Sequence, residues 1–455
     1  MSISPNFYYG CLDISLPADV ERRKAAGDIG GALRLIEGYL ADERLAPSLA
    51  SRLRVEAHRL PLIEKNYIYT KAQAMALVRE EWPDFTEAQF DALVDNRRID
   101  WRYVNGEPRY LGSFLNALRK YPQEAPGLRP QKSDPPERNE VLARMKAEGS
   151  VTAEITLKAS IKAGIPTEGK LVGAWLPVPA DCPQQKEEEI EILSATPGHV
   201  LASRLSTART VYWKSPYRTE FQIVYRYRHK AVYTDPFSLP WDGERPDPTL
   251  HRWDTQEEPP HMAFTPYLQN LATRLTWDCH TPVEKAWAIY DYVTTNVDYR
   301  YQPAYVLLDN IADSCAKELR GDCGVMALLF ITLCRIVGIP AQWQSGLAVE
   351  PWSGPGCHDW CTFYIAPHGW FYADPSYGSA ARRQGEPWRQ KHYFGNLDPW
   401  RMAANSAFQV RLRPEDPCWR HDPYDNQLGE MTVGDQGLAS DEMERSVELV
   451  EFKYL

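Results

Sequence analysis

Between Asp322 and Gly338 the chain runs Cys-Gly-Val-Met-Ala-Leu-Leu-Phe-Ile-Thr-Leu-Cys-Arg-Ile-Val, an apolar helix opened by Gly321 and Asp322 and stopped by Gly338 and Pro340. With no continuous polar face, such a helix has to be taken into a core. A membrane span takes about 18 apolar residues or more, a length that no stretch of the chain reaches. A chain of 455 residues, 44% hydrophobic and 25% charged, can bury substantial cores, so disordered, collagen-like and coiled-coil readings fall away. At roughly 150 residues per domain the length suggests about three domains. The net charge of -10 lacks the basic surplus that phosphate binding needs, and no nucleic-acid partner is expected. The opening MSISPNFYYGCLDIS has no basic stretch leading into an apolar run, so no secretory signal is visible and a cytoplasmic protein without membrane association is expected. Nine cysteines at irregular spacing do not make a disulfide framework; reduced thiols are expected, one of them functional.

Two proline-rich stretches, Pro122 to Pro136 and Pro236 to Pro266, resist helix and sheet interiors and mark boundaries. The part before the first reads mainly helical. Ala32, Leu33, Leu35, Ile36, Tyr39 and Leu40 form one apolar stripe, and more helix follows at Leu49 to Leu60. Thr86 and Gln89 have capping-box spacing with Phe85 and Phe90 as a staple, and Asn105-Gly106 signals a hairpin. From Val151 the period changes to two: Val151, Ala153, Ile155, Leu157, Ala159 and Ile161 alternate with polar neighbours, a half-buried strand. Further alternation at Lys170 to Pro179 and Thr219 to Tyr233 predicts an antiparallel sheet or sandwich. Thr281-Pro-Val-Glu284 then supplies a cap, a proline at the first helical position and a reciprocal acid, predicting a helix to about Asn296.

The chemistry concentrates after that helix. Cys323 falls on the first turn of the apolar helix, where free N–H groups and the helix dipole favour a thiolate and could also stabilise an oxyanion; Cys334, deep in the same helix, is core. A nucleophilic thiol needs a base, and Cys357-His-Asp-Trp-Cys-Thr-Phe-Tyr-Ile365 is strand-like with His358 at its start. A second strand, Trp370-Phe-Tyr-Ala-Asp374, brings a carboxylate back. If Ala366 to His368 form a three-residue loop with Gly369 in the left-handed conformation, Trp360 faces Asp374, and His358 and Asp374 share a face diagonally. An even register would separate them.

These residues resemble the transglutaminase-like cysteine-enzyme superfamily with its papain-like core. The resemblance rests on Gly-Asp-Cys-Gly at 321 to 324, the apolar helix ending Arg-Ile-Val-Gly-Ile-Pro-Ala, His-Asp-Trp at 358 to 360 and Gly-Trp-Phe-Tyr-Ala-Asp-Pro at 369 to 375, within about Thr281 to Tyr377. The segment with Gly173-Ala-Trp-Leu-Pro-Val-Pro179 looks like the β-domain that often precedes this core. The resemblance implies a catalytic Cys323, His358 and Asp374: thiolate attack on an amide carbon, proton transfer through the imidazole, and orientation of that imidazole by the carboxylate, with a thioester intermediate. It further implies an oxyanion donor after the preceding helix, where Tyr301 and Gln302 stand. The family commonly has a small residue where this chain has Asp359, whose carboxylate is expected by alternation to point away from the triad. Asp322 could cap the helix, yet a close anion opposes thiolate formation.

Trp352, in the Gly-Pro-rich loop Pro351 to Gly356, is the candidate substrate contact, whereas Trp360 and Trp370 are read as core. No cofactor and no metal are expected: the cysteines lack CxxC spacing and no EF-hand-like loop is present. The fold expected is α+β, with a mainly helical region over 1–130, an antiparallel β-rich domain over 140–240, a papain-like transglutaminase core over 265–400 and a C-terminal extension over 401–455. The function expected is thiol hydrolysis of an amide bond in a peptide or protein substrate. An amine acceptor would make the protein a cross-linking transferase, and an inert Cys323 would leave a partner-binding protein of the same fold.

Overall fold

The computed structural model describes residues 11–130, 134–249, 251–421 and 423–455. The chain divides into two compact units, one holding the described residues up to Asp134 with Tyr299–Asp309, the other Pro135–Asp298 with Asn310–Leu455. No helix among the described residues is long and apolar enough to cross a membrane.

Local signals set the first unit. Helices span Ala18–Ala25, Ile29–Leu40, Pro47–Asn66, Lys71–Arg79 and Glu87–Asp95. At the last of these the Thr86 N–H donates to the Gln89 side chain (2.8 Å) and the Gln89 N–H to Thr86 Oγ1 (3.3 Å), a reciprocal cap as the spacing predicts. Asn105 and Gly106 both take positive φ (51° and 86°), and their turn pairs Val104 with Glu107 in a hairpin. The segment Tyr299–Asp309 is tied into this unit by charge: Arg59 donates to Asp309 (2.6 Å) and to the Val306 carbonyl (2.5 Å) while also pairing with the buried Glu56 (2.7 Å). Burial alone would raise Glu56, but Arg59, Lys24 and Arg52 hold its carboxyl down at about 2.

The second unit is built on sheets. Ser150–Ala163 is the strand the alternation predicts, with Val151, Ala153, Ile155, Leu157, Ala159 and Ile161 all buried. It lies in a four-stranded antiparallel sheet ordered Met443–Tyr454, Ser150–Ala163, Glu220–Val232, Ile190–Ala195. A five-stranded sheet places Glu430–Val433 and Thr210–Ser215 on either side of Val172–Pro177. Ile155, Leu157 and Ile161 from one sheet share a core with Leu176, Trp213 and Met431 from the other, which makes a sandwich.

The third sheet, ordered Phe394–Gly395, Gly369–Ala373, Gly354–Ile365, Ala341–Glu350, Arg401–Asn405, is antiparallel throughout. Its Leu347, Val349, Met402 and Ala404 belong to the same core as the sandwich, and Tyr227 donates to the Arg401 carbonyl (3.0 Å). The residues after 400 are therefore no appended extension. Arg401–Asn405 edges the third sheet, Glu430–Val433 extends the second, and Met443–Tyr454 runs along Ser150–Ala163. An unpaired strand edge leaves a row of unsatisfied backbone groups, and these late strands satisfy three such edges.

The apolar helix is Cys323–Ile336, buried on all sides from Gly324 to Arg335. Phe330 packs edge-on against Tyr290 of the helix Pro282–Asn296 (6.2 Å between ring centroids) and against Phe363 of the third sheet (5.8 Å). The Pro282–Asn296 helix begins with the predicted Thr281–Glu284 capping box.

Candidate active site

The hairpin after His358 decides whether a base and its carboxylate can meet. Ile365 pairs with Gly369 and Cys361 with Ala373, so the loop is Ala366 to His368 and Gly369 takes a φ of 97°. That is the odd register in which His358 and Asp374 share a face. His358 Nε2 lies 2.7 Å from Asp374 Oδ2. Asp374 is fully buried and also caps the helix Pro375–Arg383, its Oδ1 accepting from the Tyr377 N–H (2.9 Å) and Ser376 Oγ (3.0 Å). Burial by itself would raise the Asp374 carboxyl, but His358 and Arg401 overcome it and hold the group well below the usual carboxylate range. An ionised carboxylate only accepts, so His358 carries its proton on Nε2 and presents Nδ1 as the basic nitrogen. Among the described residues Nδ1 has no hydrogen-bond partner. The ring packs against Tyr377 (4.5 Å between centroids) and Trp360 (5.9 Å).

Three residues complete this side of the site without a local sequence signal of their own. Arg401 is fully buried with Nη1 2.8 Å from Asp374 Oδ2, and it holds Asp398 through Nε (2.9 Å) and Nη2 (2.6 Å). Its guanidinium carbon sits 4.4 Å from the Tyr377 ring centroid and 5.2 Å from that of Trp360. The Asp398–Arg401 spacing was there to be read, but nothing in it points to Asp374. Gln427 donates through Nε2 to both the His358 carbonyl (3.0 Å) and Asp359 Oδ1 (2.6 Å), clamping the strand where the base sits. Gly346 stands opposite His358 in the neighbouring strand, and a Cβ there would run into the Met402 carbonyl.

Cys323 is partly buried on the first turn of its helix, where Asp322 accepts from the Val325 N–H (3.2 Å) as the N-cap. Its thiol donates to Asp359 Oδ2 at 3.3 Å. The Asp359 carboxylate was expected to point away, and the structure corrects this. Strand alternation holds: Asp359 is on the face opposite His358, with Cys361 and Phe363. That face, however, is the one the Cys323–Ile336 helix covers. Consequently burial, then Asp359 and Asp322, push the Cys323 thiol well above its ordinary value, against the lowering expected of a helix N-terminus. The structure joins His358 to Asp374 and Cys323 to Asp359. Among the described residues it draws no hydrogen bond between Cys323 and His358.

Tyr301 and Gln302 lie in the helical unit, where Lys120 Nζ sits 5.4 Å from the Tyr301 ring centroid and Gln302 donates to the Arg300 carbonyl (3.0 Å). Trp352 is partly buried edge-on against Trp400 (4.8 Å), with the Arg138 guanidinium 5.2 Å from its ring centroid. Arg138 is in turn paired with Glu350, which accepts from Tyr377 (2.8 Å). Trp360 is fully buried, and Trp370 packs partly exposed against His251 and Tyr364. No group of three or more His, Cys, Asp or Glu among the described residues is arranged to hold a metal ion.

Residues 269–375 match the family model described as transglutaminase-like superfamily. No curated protein sequence matches the chain. Among solved structures, a candidate cysteine protease from Cytophaga hutchinsonii is similar over 66% of this chain and 91% of its own, at 16% identity and a TM-score of 0.41. The periplasmic domain of TgpA from Pseudomonas aeruginosa is similar over 55% of this chain and 96% of its own, at 14% identity and a TM-score of 0.30.

Proposed function

Residues 269–375 form a transglutaminase-like core, and from that premise we propose that the protein is a cysteine hydrolase of amide or peptide bonds, with Cys323 as nucleophile, His358 as base and Asp374 as its orienting carboxylate. The observation that carries the reading is the His358–Asp374 pair, 2.7 Å apart and buried, with Arg401 keeping Asp374 ionised. A histidine in that state offers Nδ1 to a thiol proton and, once charged, returns the proton to the leaving amine. The Cys323 thiol turns from Asp359 to His358, and its sulfur attacks the acyl carbon as the proton passes to the imidazole. The amine departs, and water resolves the thioester. The Cys323 backbone N–H, at the first turn of its helix, supports an oxyanion there. Water is preferred to an amine acceptor by analogy with peptidase-like members of the broader family.

The test is turnover of a quenched fluorescent peptide library beside incorporation of a fluorescent amine into casein, for the wild type, Cys323→Ala and His358→Ala, with folding checked by circular dichroism. Hydrolysis without added amine, lost in both variants, is the expected result. Amine incorporation in place of hydrolysis would move the protein to the transferases. Absence of both activities would leave a partner-binding protein of this fold.

A further inference from the structure

Asp359 is not used by the mechanism above, yet it is the residue that touches the nucleophile. Its Oδ2 accepts the Cys323 thiol at 3.3 Å, and its Oδ1 is held at 2.6 Å by Gln427, whose amide nitrogen also binds the His358 carbonyl at 3.0 Å. Both Asp359 and Gln427 are buried. The carboxylate is thereby fixed against the sulfur by a strap from a distant part of the chain. The charged groups acting on Cys323 are Asp359 from the strand and Asp322 from its own helix cap, both acidic; the Asp359 backbone N–H gives the sulfur a partial compensating donor. A thiol has one hydrogen, and while Asp359 accepts it, His358 does not. The usual alternative for such a site is a standing thiolate–imidazolium pair, which a carboxylate at this distance opposes.

We infer that Asp359 is a positioning residue that keeps Cys323 a neutral thiol until substrate binds, and that it selects for reactants carrying a cationic group close to the reacting carbon. This rests on Cys323 being the nucleophile. A positive group next to the scissile bond, such as a free α-ammonium, or a cationic amine arriving at the thioester, meets favourable charge at the sulfur. An anionic group in the same place meets repulsion, and water does not screen a carboxylate buried in this way.

The experiment uses the full chain and two thiol reagents of equal chemistry and opposite charge, 2-aminoethyl methanethiosulfonate and 2-sulfonatoethyl methanethiosulfonate. Modification of Cys323 is followed by peptide mass mapping, and each rate is divided by that of free cysteine. The wild type should favour the cationic reagent by at least about tenfold, because the two reagents carry opposite charges past the same buried carboxylate while the thiolate fraction cancels from their ratio. Asp359→Asn should bring the ratio close to that of free cysteine and move the alkylation pH profile of Cys323 to lower pH, whereas Asp359→Glu should keep the cationic preference. A wild-type ratio equal to that of free cysteine overturns the inference without any variant, as does an unchanged ratio in a folded Asp359→Asn protein. Loss of selectivity in Asp359→Asn with no hydrolysis by the wild type would leave this inference standing and remove the hydrolase reading; hydrolysis with no charge selectivity would do the reverse.

Discussion

Replacing Arg401 by Met removes a buried cation that faces both Asp374 and Asp398 while keeping an unbranched chain beneath Trp360 and Tyr377. In the wild type the guanidinium lies 2.8 Å from Asp374 and 2.6 and 2.9 Å from Asp398, and all three side chains are buried. Removing one partner of a buried ion pair costs about 3–5 kcal/mol, because the other charge is left without compensation. Arg401 serves two carboxylates, so a loss near the upper end of that range is expected at pH 7. The pH dependence supplies the sharper test. Both carboxyls are held below their ordinary range in the folded protein. Their stabilisation is therefore complete above roughly pH 4, the unfolded value, and is lost as pH falls through the folded values. Without Arg401 the folded values of both carboxyls rise towards the unfolded ones, while His358 still acts on Asp374 and Arg138 on Asp398, so the stability gained as pH rises through the carboxylate range shrinks. Urea unfolding followed by tryptophan fluorescence across that range measures the effect, with Trp360 and Trp400 close to the change. A loss below about 1 kcal/mol at pH 7, within the range of an exposed pair, would refute the argument. So would a gain of stability with pH as large as that of the wild type.

Two further outcomes follow from the same geometry. Asp374→Asn removes the charge that keeps the proton on His358 Nε2, and peptide hydrolysis should fall by roughly 10³–10⁴ in kcat with little change in KM; steady-state kinetics showing less than a tenfold loss would remove Asp374 from the mechanism. Gly346→Ala places a Cβ against the Met402 carbonyl where the strands bearing His358 and Arg401 flank their neighbour. It should lower unfolding stability by about 1–3 kcal/mol, and a denaturation midpoint equal to that of the wild type would show that the two strands move apart without cost.

Much of the site was legible because its geometry is local. The His358–Asp374 pairing depends on strand alternation and on a three-residue loop ending at Gly369, all within 17 residues of chain counted from His358 to Asp374. Capping boxes at Thr86 and Thr281 and the alternation from Val151 to Ile161 are likewise short-range, because each is satisfied by neighbours three or four residues away or by the strand period itself. The sequence could also place Cys323 on the first turn of a buried helix, since the residues that start and stop that helix adjoin it.

Which side of the sheet that helix covers is a different kind of fact, and tertiary structure alone decided it. Alternation states that Asp359 points opposite to His358, but only the packing of Phe330 on Phe363 turns that direction towards Cys323. Arg401 reaches Asp374 because a strand far along the chain joins the sheet beside Ala341–Glu350, and Gln427 reaches Asp359 from later still. No spacing encodes such contacts: they are between segments whose separation in sequence carries no geometric information, and they form because open sheet edges and buried charges each require a partner. The sequence by itself determined the helix, the strands and the identity of the candidate nucleophile and base, and left the register of the His358–Asp374 hairpin as one of two alternatives. The charge surrounding the nucleophile was determined by which distant segments close over it.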